Sequence, residues 1–157
     1  MSLTIESIQQ DENNLKLPNF DDEVVFELGL AARTYARANH PNDSVVIDIT
    51  TVGGATVFRS YIGQIQPDNE YWVKKKRNTV IRFESASKRF GLSLEEKGRT
   101  FEDRGLNNID YTNYGGGFPI RLQSAPDFVF AVLTVSGLKD YEDHNVCVEA
   151  LKAVLNK

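Results

Sequence analysis

Three consecutive glycines, Gly115, Gly116 and Gly117, stand before Phe118-Pro119-Ile120, and no other segment is as able to bring bare main chain against a ligand. Glycine has no Cβ and adopts positive φ freely, so such a run serves either a ligand-facing loop or a sharp turn into a strand. Phosphate cradling is disfavoured, because no Gly-Lys-Ser/Thr follows and the run enters a strand rather than a helix. His144 lies three residues before Cys147, four before Val148 and seven before Leu151. On a helix that spacing turns its imidazole toward whatever the apolar face covers. Near a helix N-terminus the dipole favours the neutral ring, which can bond the main chain of Ser136-Gly137, contact a ligand or ligate iron.

Arg77 closes the basic run Lys74-Lys75-Lys76-Arg77. Consecutive helical residues point all round, so most of the run is expected in solvent, and Lys76 is the exception that falls within the apolar stripe. A guanidinium grips a carboxylate through two parallel hydrogen bonds, so Arg77 at a pocket edge with Ser87 and the glycine loop would suit an acid. Ser136, Asp143 and His144 invite a hydrolase triad, but adjacent residues on a helix diverge by about 100°. The sequence also lacks a Gly-x-Ser-x-Gly elbow, so no catalytic residue is assigned. Two histidines and one cysteine are too few for a closed zinc site. Haem asks for a single axial residue, for which His144, His40, Cys147, Tyr111 and Tyr114 are all candidates. Cys147, on the inner face of the last helix, is expected to be inert.

The elements that must position these groups follow from periodicity. Val24, Leu28, Ala31 and Tyr35 recur at helical spacing after Asp21-Asp22, and Asn39-His40-Pro41 stops that helix. Ser44 to Thr50 and Ala55 to Ile62 predict a hairpin around Val52-Gly53-Gly54. Asp68 is placed to cap a long helix carrying Trp72, Lys76, Thr79, Phe83, Ala86 and Phe90 on one stripe and ending at Gly91. Ser93 to Glu96 matches a capping box for a short helix, with an irregular stretch from Gly105 to Gly117 beyond it. Phe118 to Leu122 and Phe128 to Ser136 predict a second hairpin, and Asp140 to Asn156 a last helix bearing Val148, Leu151 and Leu155. Leu15 to Leu17 would add a short strand. Trp72 and the phenylalanines are expected in core or interface.

The whole chain sets limits on these readings. Its 157 residues fit one domain with an ordinary core, and residues from about 1 to 13 read as a poorly ordered tail. A net charge of -4 and a pI near 5.2 argue against nucleic acid and anionic membrane as partners. The longest uncharged apolar run, Phe128 to Leu138, has 11 residues and reads as a buried strand, since a membrane helix needs about 20. No basic, apolar leader opens the sequence and its single cysteine has no partner, so a cytoplasmic location is expected.

Four segments in order resemble the HbpS/GlcG-like family, often called the haem-degrading domain, in a branch shared by bacteria and fungi. They are Trp72-Val-Lys-Lys-Lys-Arg77 with Asn78, Arg82-Phe83 leading to Ala86-Ser87, Gly115 to Ile120, and Val135-Ser136-Gly137-Leu138 followed by Asp143-His144. The resemblance implies an α+β, profilin-like, three-layer α/β/α fold with a five-stranded, mainly antiparallel sheet. It also implies a homo-oligomer, a dimer or a larger ring, and haem binding in some relatives. Two positions depart from the branch: Tyr114 stands where a histidine is frequent, and Ala86-Ser87 where a Ser-Ser pair is common. The expected function is a homo-oligomeric small-ligand-binding domain, with haem among the candidate ligands. Arg77, Ser87, Tyr114, Gly115 to Gly117, Ser136 and His144 would line its site. A ligand-free scaffold, or an enzyme acting on a small acid or haem, is the alternative.

Overall fold

The computed structural model describes residues 2–157. The segment expected as a tail is a helix, α1 (Ile5–Asn14), capped by Thr4, whose hydroxyl accepts from the Ser7 N–H at 3.0 Å. Its composition is polar, but one apolar and one charged side chain hold it down. Ile8 is fully buried, and the buried Glu12 carboxylate accepts from Arg89 at 2.6 Å and Arg121 at 3.2 Å. Glu12→Gln is expected to destabilise the protein by about 2 kcal/mol, because hydrogen bonds to charged groups each contribute roughly 1.5–3 kcal/mol. Urea unfolding measures this, and an unchanged midpoint would mean that the two arginines do not secure α1.

Asp21 opens α2 (Asp22–Asn39) by accepting from the Val24 N–H at 2.9 Å, and His40 ends it as expected. Val25, Leu28, Gly29, Ala32 and Ala36 form its buried face, while Val24, Ala31 and Tyr35 of the predicted stripe pack only partly against the core. A hairpin follows, β1 (Val45–Thr51) and β2 (Thr56–Ile62). The predicted long helix is two helices, α3 (Asp68–Phe83) and α4 (Ser87–Lys97), separated where Glu84 takes a left-handed φ of 52°. Two expected signals are thereby corrected. Ser93 lies inside α4 rather than capping a new helix. Gly91 also continues α4, and its missing Cβ makes room for the Asn113 main-chain carbonyl. Asp68 is the first residue of α3 rather than its cap, and accepts from the Trp72 indole N–H at 3.1 Å.

β3 (Gly117–Ile120), β4 (Ala131–Ser136) and α5 (Asp140–Leu155) complete the chain. The sheet has four strands in the order β2-β1-β4-β3, every neighbour antiparallel, rather than five. Leu17 supplies only a single bridge to Leu122 where the fifth strand was expected. Period-two alternation separates the two faces. Val45, Ile47 and Ile49 with Leu133 and Val135 meet α2 and α5 in the main core. The opposite face, carrying Asp48, Thr50, Val132 and Ser136, lies under α3. The expected α/β/α layering therefore holds. No helix among the described residues is long and apolar enough to cross a membrane.

Candidate functional site

β4 ends at Ser136, the chain turns at Gly137 with φ 135°, and α5 begins at Asp140. Above that turn, α3 lowers Lys76 to the sheet, where its Nζ donates to Val135 O at 3.1 Å, Ser136 Oγ at 3.2 Å and Asp143 Oδ2 at 2.9 Å. Lys76 and Asp143 are both almost fully buried. The other Asp143 oxygen accepts from the Leu138 N–H at 3.0 Å, so the carboxylate ties the turn to the helix that follows it. Burial pushes the Asp143 carboxyl up, against the opposing pull of Lys76 and the main-chain donors.

The glycine run makes this convergence sterically feasible. At Gly116, where φ is 125°, a Cβ would run into the Val135 carbonyl and stand 2.8 Å from Lys76 Nζ and 3.0 Å from Asp143 Cβ. Its own carbonyl accepts from the Val135 N–H at 2.8 Å. Gly115 donates to Asp140 Oδ2 at 3.4 Å, and Gly117 donates to Ser87 Oγ at 3.0 Å. All three glycines are buried, so they bring backbone against backbone, and Tyr114 before them is the exposed residue of the loop. Tyr114 stacks on Trp72, ring centroids 5.6 Å apart and planes inclined by 25°.

Between these parts lies an open cleft of about 710 Å³. Trp72 and Tyr114 form one wall, Lys76, Ser136 and Asp143 the floor, and Leu138 to Tyr141 the opposite rim. Asp140 on that rim pairs with Lys88 at 2.7 Å. Burial opposes its ionisation, but the Lys88 ammonium and the Gly115 N–H outweigh that and hold its carboxyl below the usual range.

Of the residues expected to meet a ligand, Tyr114 and Ser136 line this cleft. Ser87 is buried beneath Gly117 and outside the lining. His144 is also outside it. Its ring is fully buried 5.8 Å from the Phe118 ring, and neither nitrogen has a partner among the described residues. Burial, reinforced by Lys88 and partly offset by Asp140, lowers the His144 imidazole to about 4. Arg77 does not join Ser87 and the glycines. One residue beyond Lys76 it is turned about 100° around the helix, toward Asp48 Oδ1 at 3.5 Å and Thr50 Oγ1 at 3.4 Å. Asp48 also accepts from Arg59 at 2.7 Å, so Arg77 belongs to a charge knot over β1 and β2. Burial pushes the Cys147 thiol up, in keeping with an inert residue. Sequence reasoning missed Trp72 as a site wall and placed Asp140 only as the start of the last helix, not at the cleft. The one signal for Lys76 was a charge placed within an apolar stripe.

The family model described as haem degrading protein HbpS-like matches residues 20–152. The chain belongs to the HbpS-like family. The resemblance read from four short segments therefore extends across most of the sequence. Among relatives, a UPF0303 protein of Rhizobium johnstonii is 36% identical over 150 residues, covering 96% of this chain and 90% of the relative. A UPF0303 protein of Burkholderia mallei is 36% identical over 156 residues, covering 99% and 92%. The crystal structure of Ybr137w protein superposes with a TM-score of 0.91 at 30% identity, over 99% of this chain and 90% of that one. A PduOC:Heme complex superposes with a TM-score of 0.69 at 17% identity, over 87% and 95%, a likeness of fold alone.

Haem can be tested against the residues present. The cleft of this HbpS-like chain offers two phenols, Tyr114 and Tyr141, and no imidazole, thiolate or thioether. His144 is sealed behind Gly115, and His40 stands outside the lining, 3.8 Å from Glu142. The cleft residues do not fit a histidine-ligated haem.

Proposed function

We propose that this protein binds a small, flat organic ligand in the cleft beneath α3 and works as a homo-oligomer. The observation that carries the reading is the Trp72–Tyr114 stack set against a floor of Lys76, Asp143 and Ser136 in a cleft of about 710 Å³. Ligand pockets are typically roughly 300–1,000 Å³, apolar-walled and furnished with a few fixed polar groups. A buried ion pair is a costly way to build a core and contributes little to stability, whereas at the base of a cleft it fixes the position of a polar contact. Self-association is supported by the resemblance and by the exposed Phe26, Leu30 and Val57, which lie along α2 and the edge strand β2.

Trp72 is the only tryptophan in the sequence, so its emission reports on the cleft directly. Ring-bearing small acids are expected to change that emission saturably, and Tyr114→Ala to weaken them about fivefold, the equivalent of an aromatic contact of ~1 kcal/mol. Native mass measurement is expected to return a multiple of the 17.7 kDa chain. A monomer carrying no ligand, with Trp72 emission indifferent to every acid tried, would defeat the reading. Haem is brought forward by the family description and by the haem-bound structural neighbour. Haemin titration addresses it separately: a Soret shift abolished by Tyr114→Phe would place a phenolate on the iron.

A further inference from the structure

We propose, building on the cleft reading above, that the ligand is an aromatic or heteroaromatic carboxylate whose oxygen accepts the Ser136 hydroxyl proton. An ammonium has three N–H donors and no acceptor. Asp143, Val135 and Ser136 take all three from Lys76, and Ser136 Oγ is the acceptor in its contact with Lys76. The Ser136 proton is therefore free to be given away, and among the described residues no protein acceptor takes it. Ser136 lines the cleft, so an acceptor seated there can take this proton as the hydroxyl rotates to meet it. A hydroxyl that accepts from a cation is a stronger donor, because linked hydrogen bonds polarise one another. The group it meets must be an acceptor, and an anionic one gains most.

The charges around the cleft favour the same sign. Asp143 is matched by Lys76 and Asp140 by Lys88. Asp68 sits in the first turn of α3, where the helix dipole offsets it, and accepts the Trp72 indole N–H. Lys139 on the rim and Lys75, 4.5 Å above the Trp72 ring, have no carboxylate partner among the described ion pairs. With Lys76 already matched by Asp143, a cationic ligand would meet the unmatched Lys139 on the rim, whereas an anionic one would find its counter-charge there. The Trp72–Tyr114 wall accounts for the ring.

Calorimetric titration of the full chain with 2-naphthoate, 2-naphthamide and a 2-naphthyl trimethylammonium salt tests this. Naphthoate is expected to bind about tenfold or more tighter than the amide, and the ammonium not at all. Ser136→Ala is expected to reduce naphthoate to the level of the amide. Lys139→Gln, on the exposed rim, is expected to weaken naphthoate severalfold, and a wild-type urea midpoint in both variants guards against a folding defect. Equal binding of naphthoate and amide, or preference for the ammonium, would overturn the carboxylate assignment and leave the cleft standing as a site. No binding of any of the three would overturn the cleft itself.

Discussion

Lys76→Met is expected to lower folding stability by about 3–5 kcal/mol, the cost of stranding a buried carboxylate without its cation. The two side chains are 3% and 2% exposed, so the little water that reaches Asp143 from the cleft is a poor substitute for the lost ammonium. Its remaining donors, the Leu138 and Gly137 N–H groups, meet only part of the lost interaction. Lys76→Met/Asp143→Leu should recover most of the loss, since replacing both partners of a buried pair by apolar groups is often neutral. The sign of the pH effect is fixed by the same pair. In the single variant Asp143 titrates above its unfolded value, so the folded state takes up a proton that the unfolded state does not, and the deficit shrinks as pH falls. Urea unfolding at pH 7 and pH 5 reads all three quantities. A deficit below about 1 kcal/mol at pH 7, the range of a solvent-screened pair, or a double variant no better than the single, would refute the buried-pair account.

Periodicity made Lys76 legible, and the same periodicity hid the break after it. Phe83 and Phe90 are seven residues apart and share a predicted stripe, as they would on one helix. They do share a face in space, stacked with ring centroids 4.1 Å apart, but they reach it from α3 and α4 across the left-handed Glu84. A pattern of apolar residues records which side chains meet, not whether the main chain between them stays helical. Arg77 shows the complementary limit. On an element known to be helical, one step of about 100° decides between the cleft and the Asp48 knot, and composition is indifferent to that rotation. The α1 helix was unreadable for a third reason. Its docking depends on Arg89 and Arg121, 77 and 109 residues away, so nothing local marks Glu12 as buried. The glycine run, the inward aim of His144 and the start of α5 were legible, because each is set by a residue's own conformational freedom or by spacing within one turn.

Acidification from about pH 6.5 to about pH 4 is expected to remove about 3 kcal/mol of stability through His144 alone. Its imidazole is lowered to about 4 from 6.5 in the folded chain, first by burial and then by Lys88. Between those two values the unfolded state holds the proton and the folded state does not, so stability present above pH 6.5 drains away as pH falls and levels off below 4. Lys88 and Asp140 are the charges that bear on this ring, and Asp143 is its neighbour on α5. Asp143, raised by burial, contributes with the opposite sign in the same window, so the wild-type curve alone cannot isolate the histidine. The difference between wild type and His144→Leu does, because Asp143 is common to both. Neither ring nitrogen has a partner among the described residues, so leucine should cost nothing at pH 7 and should gain the full difference by pH 4. If His144→Leu instead destabilises the protein at pH 7 and leaves the acid limb unchanged, the imidazole is held by interactions of its own. Its place behind Gly115 would then have to be reassigned from packing to binding.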